Sequence, residues 1–167
     1  METTVRSAVA SDAAAFAAVT AAISAAVSTS SDGHAQGLPA LGAAHYADLI
    51  EKHAGQVYVA EVHGSVVGYL ALQSGAHSAI EGLNPIQLWQ LYVVPAFHGT
   101  GVAAQLMSAA LNHARRHRHD VIWLGVSEQN MRGMAFYRKH GFEARGIHQV
   151  GSGEHAHRDV VMSWVPG

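Results

Sequence analysis

The chain has 167 residues, of which 49% are apolar and 13% charged, with a net charge of −2 and no cysteine. That balance describes a globular chain long enough to bury a core, and it excludes a disordered one. It also supplies no basic footprint for nucleic acid or an anionic membrane, and the missing cysteine excludes disulfides, thiolate metal sites and a Cys nucleophile.

In chain order, the opening METTVRSAVASD shows no basic region ahead of an apolar core, so no signal peptide is expected. No apolar run approaches the roughly 20 residues of a membrane span. The expectation is a cytoplasmic protein folded as one domain over 1–167, with no nucleic-acid or membrane partner. Thr3 to Val9 reads as a short strand, and Ser11 or Asp12 is a suitable N-cap for the helix that follows. That helix, Ala13 to Val27, carries Phe16, Val19, Ile23 and Val27 at helical spacing. Ser28 to Gly42 is rich in Ser, Gly and Pro and reads as a loop, and Ala43 to His53 resumes a helix through Tyr46, Leu49 and Ile50. Gln56 to Ser74 is a hairpin turning at His63-Gly64, and Gly75 to Pro85 is a second loop.

The most informative stretch runs from Leu88 to Leu111. It opens with bulky and β-branched residues, Leu88, Trp89, Leu91, Tyr92, Val93 and Val94, and Pro95 stops the strand by removing a backbone donor. After the loop His98-Gly99-Thr100-Gly101 comes a helical pattern with Val102, Leu106, Met107, Ala110 and Leu111 on one face. Strand, glycine loop and helix start aim several backbone N–H groups and the positive end of a helix dipole at one spot, which suits a phosphate. Asp120 to Val126 then reads as a central strand, Asn130 to His140 as a helix ended by Gly141, and Phe142–Val150 with Arg158–Trp164 as a closing antiparallel pair. The order β-α-α-β-β-β-α-β-α-β-β implies an α/β (α+β) mixed sheet with helices on both faces. Only the steps through the Val102 and Asn130 helices need parallel crossovers.

Gly99 to Ala104 also fits the G-x-G-x-x-G/A dinucleotide fingerprint, with Asp120 near the later acidic position. That motif wants its first glycine directly after the strand, whereas Pro95 to His98 intervene here. A P-loop fails because no Lys follows the glycines. The segment resembles instead motif A of the GNAT superfamily of acyl-CoA-dependent N-acetyltransferases, [QR]-x-x-G-x-[GA], with His98 in the Gln/Arg slot. Trp123 to Asn130 followed by Met131 to Phe142 resembles the same family's motif B: strand, Asn, a helix carrying A-x-x-x-Y, then G-F.

The resemblance implies the acyl-CoA N-acyltransferase fold, a mixed central sheet of about six to seven strands with about four helices. It implies acetyl-CoA as co-substrate and transfer of its acetyl group to a primary amine by direct attack in a ternary complex. The backbone of Leu91, Tyr92 and Val93 would pair with the pantetheine, and His98, Gly99, Thr100, Gly101, Val102, Ala103 and Ala104 would hold the pyrophosphate, with Gln105 assisting. Asn130 would contact the pantetheine arm, and Tyr137 would approach the thioester sulfur. A phenol at Tyr137 suits a general acid for the leaving thiolate, and a backbone N–H near Tyr92 suits the oxyanion. The base is open among Glu128, Glu81 and water held by Tyr92 or Gln90, because Gly125 stands where some relatives have Glu.

Each residue also has a plainer role. Tyr137 fits a core, Asn130 a helix N-cap and the glycines a turn, while Trp89, Trp123 and Trp164 read as packing. His113 and His117 share the i,i+4 spacing of a metal pair, yet cations at a helix C-terminus suit the dipole, so no metal is expected. His155 and His157 read as a hairpin loop. The tail Gly146-Ile147-His148 with Asp159-Val160-Val161-Met162 is similar to bacterial spermidine/spermine acetyltransferases of the Pai type. Ser127 and Val150 replace its usual Trp and Phe, and the acids Glu81, Glu128, Glu143, Glu154 and Asp159 are only loosely placeable. The acceptor is therefore read as a small amine or polyamine. Peptide or protein N-terminal acetylation is the alternative, and a non-catalytic acyl-CoA sensor a third reading. Loops 28–42 and 75–85 are expected to shape the acceptor pocket, and a homodimer through the last strands is plausible for the family.

Overall fold

The computed structural model describes residues 2–29, 41–151, 153 and 156–167. Most of the Ser28–Gly42 loop lies outside them, as do Glu154 and His155. Among the described residues the chain forms seven strands and four helices: β1 Thr3–Ser7, α1 Ala13–Thr29, α2 Ala43–Lys52, β2 Val57–Val62, β3 Ser65–Ser74, β4 Pro85–Val93, α3 Val102–Arg116, β5 Val121–Ser127, α4 Met131–Lys139, β6 Glu143–Val150 and β7 His157–Trp164. The strands hydrogen-bond in the order β1-β2-β3-β4-β5-β7-β6.

Two compact units make up the chain: Met1–Leu72 with Gln90–Ala110, and Gln73–Trp89 with Leu111–Gly167. In the first, β1, β2 and β3 form an antiparallel meander. Its tight turn has φ 51° at His63 and 78° at Gly64, the two positive values a type I′ hairpin needs. The apolar stripe of α1 packs Phe16 and Val19 against Tyr46, Leu49 and Ile50 of α2 and Val57, Val59 and Tyr69 of the strands. The Phe16 and Tyr69 rings stack with centroids 4.0 Å apart. Each such large side chain removed from water contributes about 1.5–3 kcal/mol before entropy is charged against it.

One expectation is corrected here. Asp12 does not cap α1: it ends a 3-10 turn, Ala10–Asp12, where its carboxylate accepts the Val9 N–H (2.8 Å). Arg6 donates to the same carboxylate through both terminal nitrogens (2.8 and 2.9 Å). A buried carboxylate is pulled to the guanidinium rather than left at the helix start.

In the second unit β4 and β5 pair in parallel over Pro85–Gln87 and Val121–Trp123, so β4 begins before Leu88 and both strands run on past the shared ladder. β7 is antiparallel to both β5 and β6. The last strand therefore inserts between β5 and β6, and the α4 crossover skips one strand. The continuous apolar run of β5 fits that central position, with Val121, Ile122, Leu124 and Val126 buried and Ile122 and Leu124 paired across to Trp164 and Met162. Trp123 is also buried, whereas Trp89 is 39% exposed. The loop after β3 is tied down: Trp123 Nε1–H donates to the Gly75 carbonyl (3.0 Å), and the Asn84 N–H donates to Asp120 (3.0 Å). No helix of the described residues is long and apolar enough to cross a membrane.

Candidate active site

The stretch after β4 is a glycine-bearing turn that runs into a helix start. A 3-10 turn at Pro95–Phe97 leads into Gly99 and Gly101, whose φ values of 75° and 91° lie in the left-handed region. Ordinary side chains avoid that region, and the space around both glycines is open, so backbone conformation and not crowding selects them. The first intrahelical bond of α3 is Gln105 N–H to the Gly101 carbonyl (3.1 Å), so the N–H groups of Val102, Ala103 and Ala104 precede any helical acceptor. Val102 is buried beneath them, which anchors the helix start.

His98 is tied to the loop itself. Its Nε2 donates to the Val93 carbonyl (2.8 Å), closing the turn between the end of β4 and the glycines. Thr100 Oγ1 likewise donates to the Phe97 carbonyl, so both side chains brace the loop.

Along β4, Gln90 Oε1 accepts from the Tyr69 hydroxyl (3.0 Å), and the Tyr69 and Tyr92 rings meet edge-on at 5.6 Å. Burial pushes both phenols above their ordinary pKa, so neither ionises near neutral pH. Gly68 lies against this strand: a Cβ there would sit 2.8 Å from the Tyr92 carbonyl oxygen. A lone glycine inside a strand pattern, as at Gly68, is the signal of such close backbone approach.

In the second unit Asn130 caps α4, its Oδ1 accepting the Gly133 N–H (2.8 Å). The helix ends in a Schellman motif. Phe142 N–H donates to the Tyr137 carbonyl (3.0 Å) and Gly141 N–H to Arg138 (3.0 Å), with Gly141 at φ 94°. The Phe142 and Tyr137 rings meet edge-on at 5.9 Å. Tyr137 is thus a half-buried phenol whose backbone and ring are both held. That support from Phe142 is legible in the sequence only as the G-F after the helix.

The candidate bases differ in their surroundings. Glu128 is engaged by Arg158 (3.2 Å). Glu81 lies beside Arg145, Val121 and Ser163, at the opposite end of β5 from Ser127. His113 is 2% exposed and faces inward. Among the described residues no group of three His, Cys, Asp or Glu side chains is placed to hold a metal.

A seven-strand mixed sheet with a glycine loop opening the helix after its fourth strand is the acyl-CoA N-acyltransferase arrangement. The model of the acetyltransferase (GNAT) family matches residues 24–142, and the chain belongs to that family of acetyltransferases. It is 34% identical over 122 residues to an uncharacterised N-acetyltransferase of Mycobacterium bovis, covering 73% of this chain and 74% of that one. An L-methionine sulfoximine/L-methionine sulfone acetyltransferase of Salmonella typhimurium is 30% identical over 86 residues, 52% of this chain and 49% of that one. The Salmonella typhimurium protein yncA, solved with its cofactor acetyl-CoA, shares the fold at a TM-score of 0.75 and 22% identity, over 98% of this chain and 93% of that one.

Proposed function

We propose that this chain transfers the acetyl group of acetyl-CoA to the primary amine of a small acceptor, by direct attack within a ternary complex. The observation that carries this reading is the loop from His98 to Ala104: two left-handed glycines and a helix start present successive backbone N–H groups, as a pyrophosphate requires. In this reading the backbone of Leu91, Tyr92 and Val93 holds the pantetheine, and Asn130 adds a polar contact to its arm while capping α4.

The chemistry divides among few groups. The acceptor nitrogen, once it has lost its ammonium proton to water near Tyr92 and Gln90, attacks the thioester carbonyl. A C–N bond forms, a backbone N–H of β4 near Tyr92 stabilises the developing oxyanion, and the C–S bond then breaks. Tyr137 gives its hydroxyl proton to the departing sulfur and recovers one from solvent. The nitrogen loses two protons and the sulfur gains one, so one proton is released per turnover.

The acceptor is best read as carrying a single ammonium. A polyamine wants several converging carboxylates, as the similarity to the Pai-type enzymes would require. Here Asp12 and Glu61 serve Arg6, Asp48 serves Lys52, Glu143 serves Arg145 and Glu128 serves Arg158, while Asp120 accepts backbone N–H groups. The relative acting on methionine sulfoximine and sulfone supports the same reading. The test is thiol release from acetyl-CoA with amino acids, spermidine, spermine, aminoglycosides and short peptides. Turnover with a mono-amine class supports the proposal. Absence of turnover, together with no thermal shift on adding acetyl-CoA, overturns it.

A further inference from the structure

The registers of β5, β7 and β6 gather polar groups from distant parts of the chain on one sheet face. Asp159 pairs directly with Ser127 on one side and His148 on the other. Its carboxylate lies over the bare backbone of Gly125, where a Cβ would stand 3.4 Å from Asp159 Oδ2. The side chain is 26% exposed, and His157 Nε2 faces its Oδ1 at 3.5 Å, an ion pair only when that imidazole is protonated. Asp159 is thus a partly sheltered carboxylate that neither Arg nor Lys matches among the described residues.

His148 stands directly across from it on β6, and a second imidazole lies beside His148. The His77 ring lies 5.3 Å from that of His148 and 5.3 Å from the Trp123 ring. The Ala79 N–H donates to His77 Nδ1 (3.0 Å), which puts the ring proton of the neutral imidazole on Nε2 as a donor. One carboxylate with neighbouring imidazole donors matches one cation with an adjacent anion.

Building on the proposed acetyl transfer, we infer that Asp159 receives the acceptor's ammonium and that His77 and His148 receive an anionic group on the same molecule. The acceptor is then a small amino-acid-like zwitterion. Gly125 serves this by placing no side chain against the Asp159 carboxylate, which a Cβ there would meet at 3.4 Å. Because Asp159 stabilises the charged amine, it binds the acceptor at the cost of making its proton harder to remove. That trade-off separates a binding role from a merely structural one.

The experiment compares the full chain with Asp159→Asn and His148→Gln, reading thiol release against acceptor concentration and pH. Wild-type kcat/KM should favour amino acids over spermidine and over the amino acid carboxamides. Asp159→Asn should raise KM for the amino acid by about 10- to 100-fold, as expected for losing a charge-assisted contact, and move the rising limb of kcat to lower pH. His148→Gln should narrow the preference for the amino acid over its carboxamide. A preference for spermidine would overturn the inference while leaving acetyl transfer intact, as would equal losses in kcat and KM with an unmoved pH limb. If no amine releases thiol, acetyl transfer itself fails. Calorimetric titration of the amino acid into CoA-loaded protein then decides the site: binding that Asp159→Asn weakens supports it, and no binding overturns it.

Discussion

His113 should make the protein sensitive to mild acid. It sits on α3 with 2% of its surface exposed, its ring 4.3 Å from that of His117 and stacked at 5.8 Å on that of His119. Burial holds its pKa down to about 4 against an ordinary 6.5, and repulsion from His117, His119 and Arg116 adds to the effect. The native state therefore keeps His113 neutral at pH values where the unfolded chain protonates it. Its neutral form supports the fold fully above pH 6.5. That support drains away as pH falls from 6.5 towards 4, because the unfolded state then binds the extra proton. At about 1.4 kcal/mol per unit, the loss between pH 7.5 and 5 comes to about 2 kcal/mol. The perturbation is His113→Leu, which removes the titration at similar volume, and the assay is urea unfolding of both proteins across that range. The variant should pay a fixed cost for altered contacts at every pH, and wild type should lose about 2 kcal/mol more than the variant on acidification. Parallel stability curves would refute the reasoning, since every other titrating group is common to both proteins.

Tyr137→Phe should lower kcat by about 10²- to 10⁴-fold with little change in acetyl-CoA affinity, and an unchanged kcat would remove Tyr137 as the proton donor. Gly101→Glu puts a side chain and a negative charge at a left-handed position in the cradle. It should abolish the thermal shift caused by acetyl-CoA, and a retained shift would count against the cradle. Gly68→Ala drives a methyl to 2.8 Å from the Tyr92 carbonyl, so β4 must move, and the urea midpoint should fall by an amount equivalent to about 1–3 kcal/mol. Asp12→Ala should cost about 1–3 kcal/mol at neutral pH. Hydrogen bonding from Arg6 holds the Asp12 carboxyl below its ordinary pKa, so that cost should shrink as pH falls through the carboxylate range; a cost independent of pH would mean the pairing contributes nothing.

Much of this protein was legible in its sequence because the signals are local. The His63-Gly64 turn, the glycines at 99 and 101, the Asn130 cap and the Gly141 stop each follow from the φ angles or hydrogen bonds of a few adjacent residues. The apolar periods placed the helices and strands, and two glycine- and tyrosine-bearing segments were enough to point to the family. Strand order and side-chain encounters were decided by the tertiary structure. β7 inserts between β5 and β6, a pairing between segments remote in sequence that no local propensity encodes. That insertion carries Asp159 over Gly125 and beside His148, whereas in the sequence it is one of several loosely placeable acids. Folding likewise turned His98 back onto the Val93 carbonyl and committed Glu128 to Arg158, because charged and polar groups take whatever partner the register brings within reach.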